Sequence, residues 1–407
     1  MSTPTNSFTI DRLVTEFGAL YLNNGQNLSR LFRGLMQPGV TLNMPGLRHI
    51  STNESVWRCA NPIIQSMLQA FQIGFTPKGN VDFHPNEIRL QHMKVDMQIV
   101  PHEIEESWLG FLNGDSDKIE KWPITKYIMQ QVLDSVAEDK EINVAYNGVA
   151  ATPTDGTAGD ASEVMDGFHK KLCEGVLDSQ YPIRLIDGMG ALTTENIFEQ
   201  LEYFVRHLPE RYRRVPFHIF VSDDMRLAYL EAKRALGYYT ITDDSQISTK
   251  LDFCNCFLHA LPSMAGTNHI WATLPQNIVH LTKRDLSTAH FDVQKTDRVV
   301  KLLIDWWEAI GFICNDMVFT NRDTVSDSIV ADPVLEKVSK NVFKMTSDTT
   351  GADIYYTTDG TEPTAETGTK FTSNLTIAAD TTYTMKAFKT GLLPSGTVTA
   401  EKATYES

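Results

Sequence analysis

Phe71, Ile73 and Phe75 alternate with polar or small residues, and after the turn-rich stretch Pro77 to Pro85 the alternation resumes at Ile88 and Leu90. A period of two predicts strands with one face buried. At His92 the phase slips, and Met93, Val95, Met97 and Ile99 continue on the other parity, as a β-bulge would produce. Together these runs predict a hairpin of about 30 Å, at roughly 3.3 Å per residue. A hairpin that long and two-faced needs a neighbour to cover it. Pro123 then opens a period of 3.6, in which Ile124, Ile128, Val132 and Val136 form a stripe widened by Met129 and Leu133 and running toward Asn147-Gly148. Proline in the first turn and glycine past the end predict a helix, spanning roughly 35 Å if continuous.

From Thr193 the pattern alternates between helix and strand. Ile197, Leu201, Phe204, Val205 and Leu208 mark a helix, Phe217 to Val221 a buried strand, and Ser222 the cap of a helix through Met225, Ala228, Tyr229, Ala232 and Leu236 that stops at Gly237. Strands are predicted at Leu251 to Leu258, His269 to Thr273 and Ile278 to Leu281, and Arg298 to Trp306 with Ile310 to Thr320 reads as a paired β return. Before the hairpin, a short amphipathic stretch (Leu13 to Leu22) and Gly- and Pro-rich segments (Gly34 to Gly46) read as an extended arm. Ala151 to Ser162 reads as an exposed loop.

Beyond Ala331 the composition shifts abruptly toward threonine, a strand-favouring residue. Short runs at Asp353 to Thr358, Leu375 to Ile377, Thr382 to Lys389 and Thr397 to Tyr405 are separated by turn signals at Asp359-Gly360, Thr369-Lys370 and Gly391. That spacing predicts a small β-sandwich. Tyr383, Met385 and Ala387 should face its core, with Thr384 and Lys386 outward. Pro333 and the polar stretch Thr324 to Asp327 mark a linker before it. The stretches Ile354 to Thr364 (IYYTTDGTEPT), Thr381 to Val398 and Ala403 to Tyr405 resemble the Ig-like domain at the C-terminus of chitobiases and β-hexosaminidases. The resemblance implies a fold without an activity, since the catalytic carboxylates of those enzymes lie in another domain.

The order of arm, long hairpin, long helix, compact α/β part and β return is similar to the HK97-type major capsid protein of tailed double-stranded DNA phages. Phe75 to Leu112 looks like that family's extended loop and its return, and the likeness extends to the crAss-like gut phages. It implies an α+β, HK97-like capsid fold plus the C-terminal all-β Ig-like sandwich. The corresponding divisions are an N-terminal arm (1–55), an extended hairpin loop (56–112), the spine helix and peripheral domain (113–192), an axial α/β domain (193–296), a peripheral-domain β return (297–327) and the Ig-like sandwich (331–407). It further implies homo-hexamers and homo-pentamers tiling an icosahedral virion shell around DNA, assembled in the host cytoplasm with portal and auxiliary or cement proteins. The Ig-like domain would decorate the surface and could meet glycans. Phe75, Lys78 and Phe83 are the expected intersubunit contacts. Lys78, at the hairpin tip, is also the candidate for a cross-link of the Lys–Asn kind known in HK97, beside its plainer reading as a solvated turn residue.

With 407 residues, the chain needs more than one core. Acidic residues outnumber basic ones 51 to 36, giving a net charge of -15. Such a surface does not grip nucleic acid, although an acidic subunit suits a container that must not trap its DNA. The N-terminus shows no basic region followed by an apolar stretch, and no apolar run is long enough to cross a bilayer. Five scattered cysteines (Cys59, Cys173, Cys254, Cys256, Cys314) read as reduced thiols in a cytosolic setting.

Candidate chemistry is thin. His84, His92 and His102 fall near one hairpin without a short ligand spacing, and Cys254 with Cys256 lacks the second pair of a tetrahedral site. Glu103, Glu105 and Glu106 before Trp108 read as a solvated face. Gly188-Met189-Gly190 lacks the third glycine and the buried strand of a dinucleotide site. Asp353 and Asp359 are conceivable calcium ligands, but an Asp-Gly pair is ordinarily turn chemistry. Trp306 and Trp307, adjacent on a strand, should face core and interface respectively. The expectation is a structural protein with no catalytic, cofactor or metal residues. The competing readings are a carbohydrate-active or glycan-binding protein, from the C-terminal module, and an encapsulin-like compartment shell.

Overall fold

A computed structural model describes residues 39–64, 68–74, 76, 78, 81–100, 124–178, 181–236, 250–251, 254–284, 290–296, 299–339, 342–376 and 382–400. The expected arm up to residue 38, Phe75, Pro123, His102 and the Glu103–Trp108 cluster lie outside these residues. In chain order the elements are β1 (Leu47–Thr52), β2 (Val56–Ile64), β3 (Val81–Arg89), β4 (Gln91–Ile99), α1 (Ile124–Asp139), α2 (Phe168–Val176), β5 (Arg184–Ile186), α3 (Ile197–His207), α4 (Glu210–Arg213), β6 (Phe217–Val221) and α5 (Asp223–Ala235). They continue with β7 (Cys256–Ala260), β8 (Trp271–Thr273), β9 (Ile278–Lys283), β10 (His290–Thr296), β11 (Val299–Phe312), β12 (Val318–Asn321), β13 (Val334–Ser339) and β14 (Val342–Thr346). The last are β15 (Asp353–Thr357), β16 (Thr369–Lys370), β17 (Leu375–Thr376), β18 (Tyr383–Phe388) and β19 (Val398–Ala400). Two compact units result, one from residues 1–171, 209–267 and 273–314, the other from 172–208, 268–272 and 315–407.

The first unit is organised on β11. This strand pairs antiparallel with β10, with β4 over Val300 to Glu308, and with β9 from Glu308 to Phe312, while β1 lies parallel on β9. Its even residues Val300, Leu302, Ile304 and Trp306 are buried, as a strand with one face in a core requires. The sequence reads this region as two paired strands. It is instead one continuous strand followed by β12, and β12 pairs with β5. No turn residue interrupts Trp307 to Ile310, so nothing in the chain forces the expected reversal.

The hairpin also differs from expectation. Its strands are β2 and β3, in register from Val56↔Arg89 to Ile64↔Val81, and Leu68 to Ile73 belong to the connection between them. The phase slip near His92 is no bulge. At Leu90, whose N–H donates to Ser55 O, the chain leaves its hairpin partner and becomes β4 on β11, so the slip records a change of partner. The predicted helix is present as α1, with Ile128, Met129 and Val132 buried, but it gives way to a π-helical turn at Lys140–Val144 in place of continuing to Asn147. Ser222 begins α5 as expected, although its hydroxyl donates to Thr267 O and does not cap the helix. β6 and β7 run parallel.

In the second unit β5 and β12 are parallel, and α3 buries Ile197, Leu201 and Phe204. Thr324, expected in a linker, is fully buried: its hydroxyl accepts from Ile270 N at 2.8 Å and lies 3.1 Å from Ile270 O. The Thr-rich region forms two antiparallel sheets, β13-β14-β17 and β16-β15-β18-β19. Phe343, Met345, Ile354, Tyr383, Met385 and Ala387 fill the core, joined by Val330. Thr384, expected outward, is buried, and Thr369-Lys370, expected as a turn, is a strand. Gly360 and Gly391 hold positive φ of 78° and 86°, the turn geometry their positions predict. Val330 N donates to Leu393 O and Leu393 N to Ser328 O, so the chain entering this module is already part of it.

Met385, with no exposed surface, lies at the centre of that core. Met385→Ala should cost about 2–5 kcal/mol. Hydrogen exchange of the β15 and β18 amides in the full-length protein measures it, and protection equal to the parent would contradict this packing.

Candidate assembly surface and its buried anchor

The root of the hairpin is fixed by close packing. Ile88 and Leu90 are buried against Val279, Leu281 and Ala309, with Trp57 and Trp307 at the margin. Asn86 Nδ2 donates to Phe312 O at 2.7 Å. Gly311 lies under Ile88, whose Cδ1 is 2.7 Å from where a Cβ would stand, so a side chain there would displace Ile88.

At the far end the connection closes on itself. Lys78 Nζ donates to Leu68 O at 2.6 Å and Gln69 Nε2 to Thr76 O at 2.8 Å. Leu68, Phe71 and Ile73 nevertheless stand 88%, 95% and 98% exposed. Of the expected contact residues, Lys78 is at this tip and Phe83 lies in β3 opposite Pro62, while Phe75 is outside the described residues.

Beneath the sheet lies an ion pair that the sequence reading misses. Glu308 is fully buried, and three donors reach its carboxylate: Lys140 Nζ at 2.8 Å, Trp306 Nε1 at 3.0 Å and His280 Nε2 at 3.3 Å. Burial pushes the Glu308 carboxyl up, but the Lys140 charge and the His280 and Lys140 hydrogen bonds outweigh it and hold the group at about 2. Its contribution to stability is therefore present above the ordinary carboxylate value of 4.5 and lost as pH falls toward 2. Next along the π-turn, Glu141 accepts from Thr41 N at 3.0 Å and from the Thr41 hydroxyl at 2.5 Å, and that hydroxyl lies 2.8 Å from Ser263 Oγ. The one signal in the sequence was a lone carboxylate inside the apolar run Trp306 to Phe312.

The remaining candidates do not converge. His92 stacks on Trp307 with centroids 4.4 Å apart and pairs with Asp305 at 2.7 Å, while His84 lies in β3. Trp306 is core, as expected, and Trp307 is half-buried with Lys283 Nζ 4.5 Å over its ring. A hydrogen bond to Cys254 and burial push the Cys256 thiol up, away from the thiolate form. Gly188 is a loop residue with φ 75°. Asp353 pairs with Lys370, and Asp359 caps Thr361 as turn chemistry predicts. No group of three or more His, Cys, Asp or Glu among the described residues could hold a metal ion, and no helix among them is long and apolar enough to cross a membrane.

The family model of the chitobiase/beta-hexosaminidase C-terminal domain matches residues 336–400. No curated protein matches the chain. Among solved structures the chain is similar to a subunit of the satellite phage P4 procapsid that includes the size determination protein, with TM-score 0.46 and 12% identity over 78% of this chain and 93% of that one. It is similar to the capsid of a native GTA particle, with TM-score 0.46 and 10% identity over 69% and 89%. The SrpI encapsulin of Synechococcus elongatus gives TM-score 0.40 and 12% identity over 71% and 90%.

Glu308→Gln should destabilise by about 3–5 kcal/mol, because it takes the carboxylate charge of the pair away from the buried Lys140. Lys140→Met combined with Glu308→Gln should recover most of that loss. Urea denaturation of the three proteins at neutral pH measures both effects, and equal midpoints for parent and single variant would contradict the anchor.

Proposed function

We propose that this chain is the major capsid protein of a tailed double-stranded DNA phage, a subunit that self-assembles into hexamers and pentamers of an icosahedral shell. The observation that carries this reading is the hairpin tip, where Leu68, Phe71 and Ile73 are almost wholly in water at the end of a rigidly rooted element. Burying each such side chain is worth about 1.5–3 kcal/mol, so the tip favours a partner surface, and a second copy of the chain supplies one with closed symmetry. The resemblance in element order supports the same reading. Phe75, Lys78 and Phe83 share the hairpin with these residues and act there as intersubunit contacts. Because Lys78 is engaged with Leu68 O, its first role is to hold the tip in shape.

The net charge of -15 suits a wall that encloses DNA without adhering to it. Within this reading the divisions expected from the sequence are those of the subunit: arm, hairpin, spine, axial domain, β return and Ig-like decoration. Portal and cement proteins complete the particle, assembly takes place in the host cytoplasm, and glycans are the partner class for the decoration. The protein works by assembly and has no enzymatic role. An encapsulin-like compartment would share the wall and differ in its content, enzyme cargo in place of DNA.

Electron microscopy of the purified protein should show capsomers or closed shells. Phe71→Ser with Ile73→Ser should lower the assembled fraction at least about tenfold while changing stability by no more than roughly 0.5 kcal/mol, as exposed substitutions do. Full assembly by that double variant, or a strictly monomeric parent under all salt conditions, would refute the reading.

A further inference from the structure

Two histidine pairs flank the start of β1, the strand that leads into the hairpin. His49 of β1 meets His280 of β9, Nδ1 to Nδ1, at 3.0 Å. His218 of β6 meets His259 of β7, Nδ1 to Nε2, at 2.7 Å. His218 also reaches Gly46, where its Cδ2 lies 3.4 Å from an ideal Cβ position and Pro275 Cα lies at 2.9 Å. Gly46 has φ 86° and its carbonyl accepts from Gln276 N. The chain therefore enters β1 through a tight turn resting on one pair and is held in register by the other.

The proton arrangement follows from what each partner can do. Glu308 is ionised and accepts only, so His280 carries its proton on Nε2 and donates there. Its Nδ1 is then an acceptor, and His49 Nδ1–H donates to it. A first added proton settles on His49 Nε2 and leaves this contact intact. The gap itself holds one hydrogen, since two N–H donors cannot face each other at 3.0 Å. The same limit holds between His218 and His259, since one hydrogen can occupy the 2.7 Å gap and two cannot.

We propose that these two pairs form a proton-operated joint that frees β1 from β9 on acidification, loosening the root of the hairpin while β11 keeps its other partners. The groups facing the joint favour this outcome. Lys140 from the π-turn is a second cation competing for Glu308, Trp306 from β11 is neutral, and Glu141 is engaged with Thr41. Asp134, Glu138 and Asp139 on α1 are exposed, as is Arg48 on β1. On the opposite face Asp305 pairs with His92 and Lys94 with Asp96, near Trp307 and Lys283. Around His218 and His259 lie Phe220 and Phe257, which offer no charge. Burial holds His218 low, burial and the neighbouring His280 hold His49 low, and burial with His218 brings His259 to about 4. A histidine held below its ordinary value of about 6.5 binds fewer protons folded than open, so its stabilisation falls as pH drops below that value. Glu308, held at about 2, weakens only below its ordinary 4.5, which leaves a window where histidine alone acts. The joint lies within one chain and does not require that the chain assemble.

The test is hydrogen exchange of the full-length protein from pH 7.5 to 4.8, corrected for intrinsic rates, with histidine C2–H exchange read from the same samples. Peptides of β1 should lose protection by about tenfold per pH unit for each extra proton bound by the open form, while β10 and the β4-paired part of β11 stay protected. The loss should set in below about 6.5, where the open form gains protons, ahead of the titration of His259, which the closed pair holds at about 4. His49→Gln with His259→Gln keeps an amide donor at each contact and should flatten the β1 profile. Unchanged β1 protection across the range would overturn the joint, as would a His259 that titrates at its ordinary value or a double variant that keeps the parent profile. Should the double variant not fold, the parent profile and the His259 titration still decide the matter.

Discussion

Three hydrogen-bond donors from three separate stretches of chain converge on the Glu308 carboxylate, and most of the first unit is arranged to make that possible. Glu308 is the residue at which β11 exchanges β4 for β9, in register with both Gln91 and Thr282. Lys140 arrives from the end of α1, His280 from β9, and Trp306 from two residues earlier on the same strand. Removing two charges from water costs several kcal/mol each, so such a pair contributes little net stability. Its effect is to specify: only one placement of helix end against sheet satisfies all three donors.

The π-turn follows from the same constraint. A widened turn at Lys140 buries the lysine toward Glu308 and aims Glu141 at Thr41. From Thr41 the path runs through Gly46 into β1 and on to the hairpin. A local irregularity in a helix is thereby tied to the point where the chain turns toward β1.

The C-terminal module is governed by different physics. Its core is small and apolar, its outer faces carry Thr and ion pairs such as Glu362 with Lys386, and its buried Thr384 lies within strand pairing on both sides. Such a unit has a fold of its own. The entry through Ser328 and Val330, tied to Leu393, ends the second unit's last buried stretch in the module's own core.

Periodicity identified α1, α3, α5, β6 and the Tyr383, Met385, Ala387 face, because in each part of the apolar pattern is buried and its neighbours are close in sequence. Turn chemistry identified Asp359-Gly360 and Gly391, where a positive φ leaves few alternatives. The sequence also showed a parity change near His92 and a lone carboxylate in an apolar strand. Neither has a local meaning. The first proved to be a strand changing partners and the second the meeting point of groups 28 and 168 residues apart in the chain. Pairing partners, the π-turn, the buried Thr324 and the histidine contacts were decided by tertiary structure, since each depends on which distant group arrives to satisfy a polar atom removed from water.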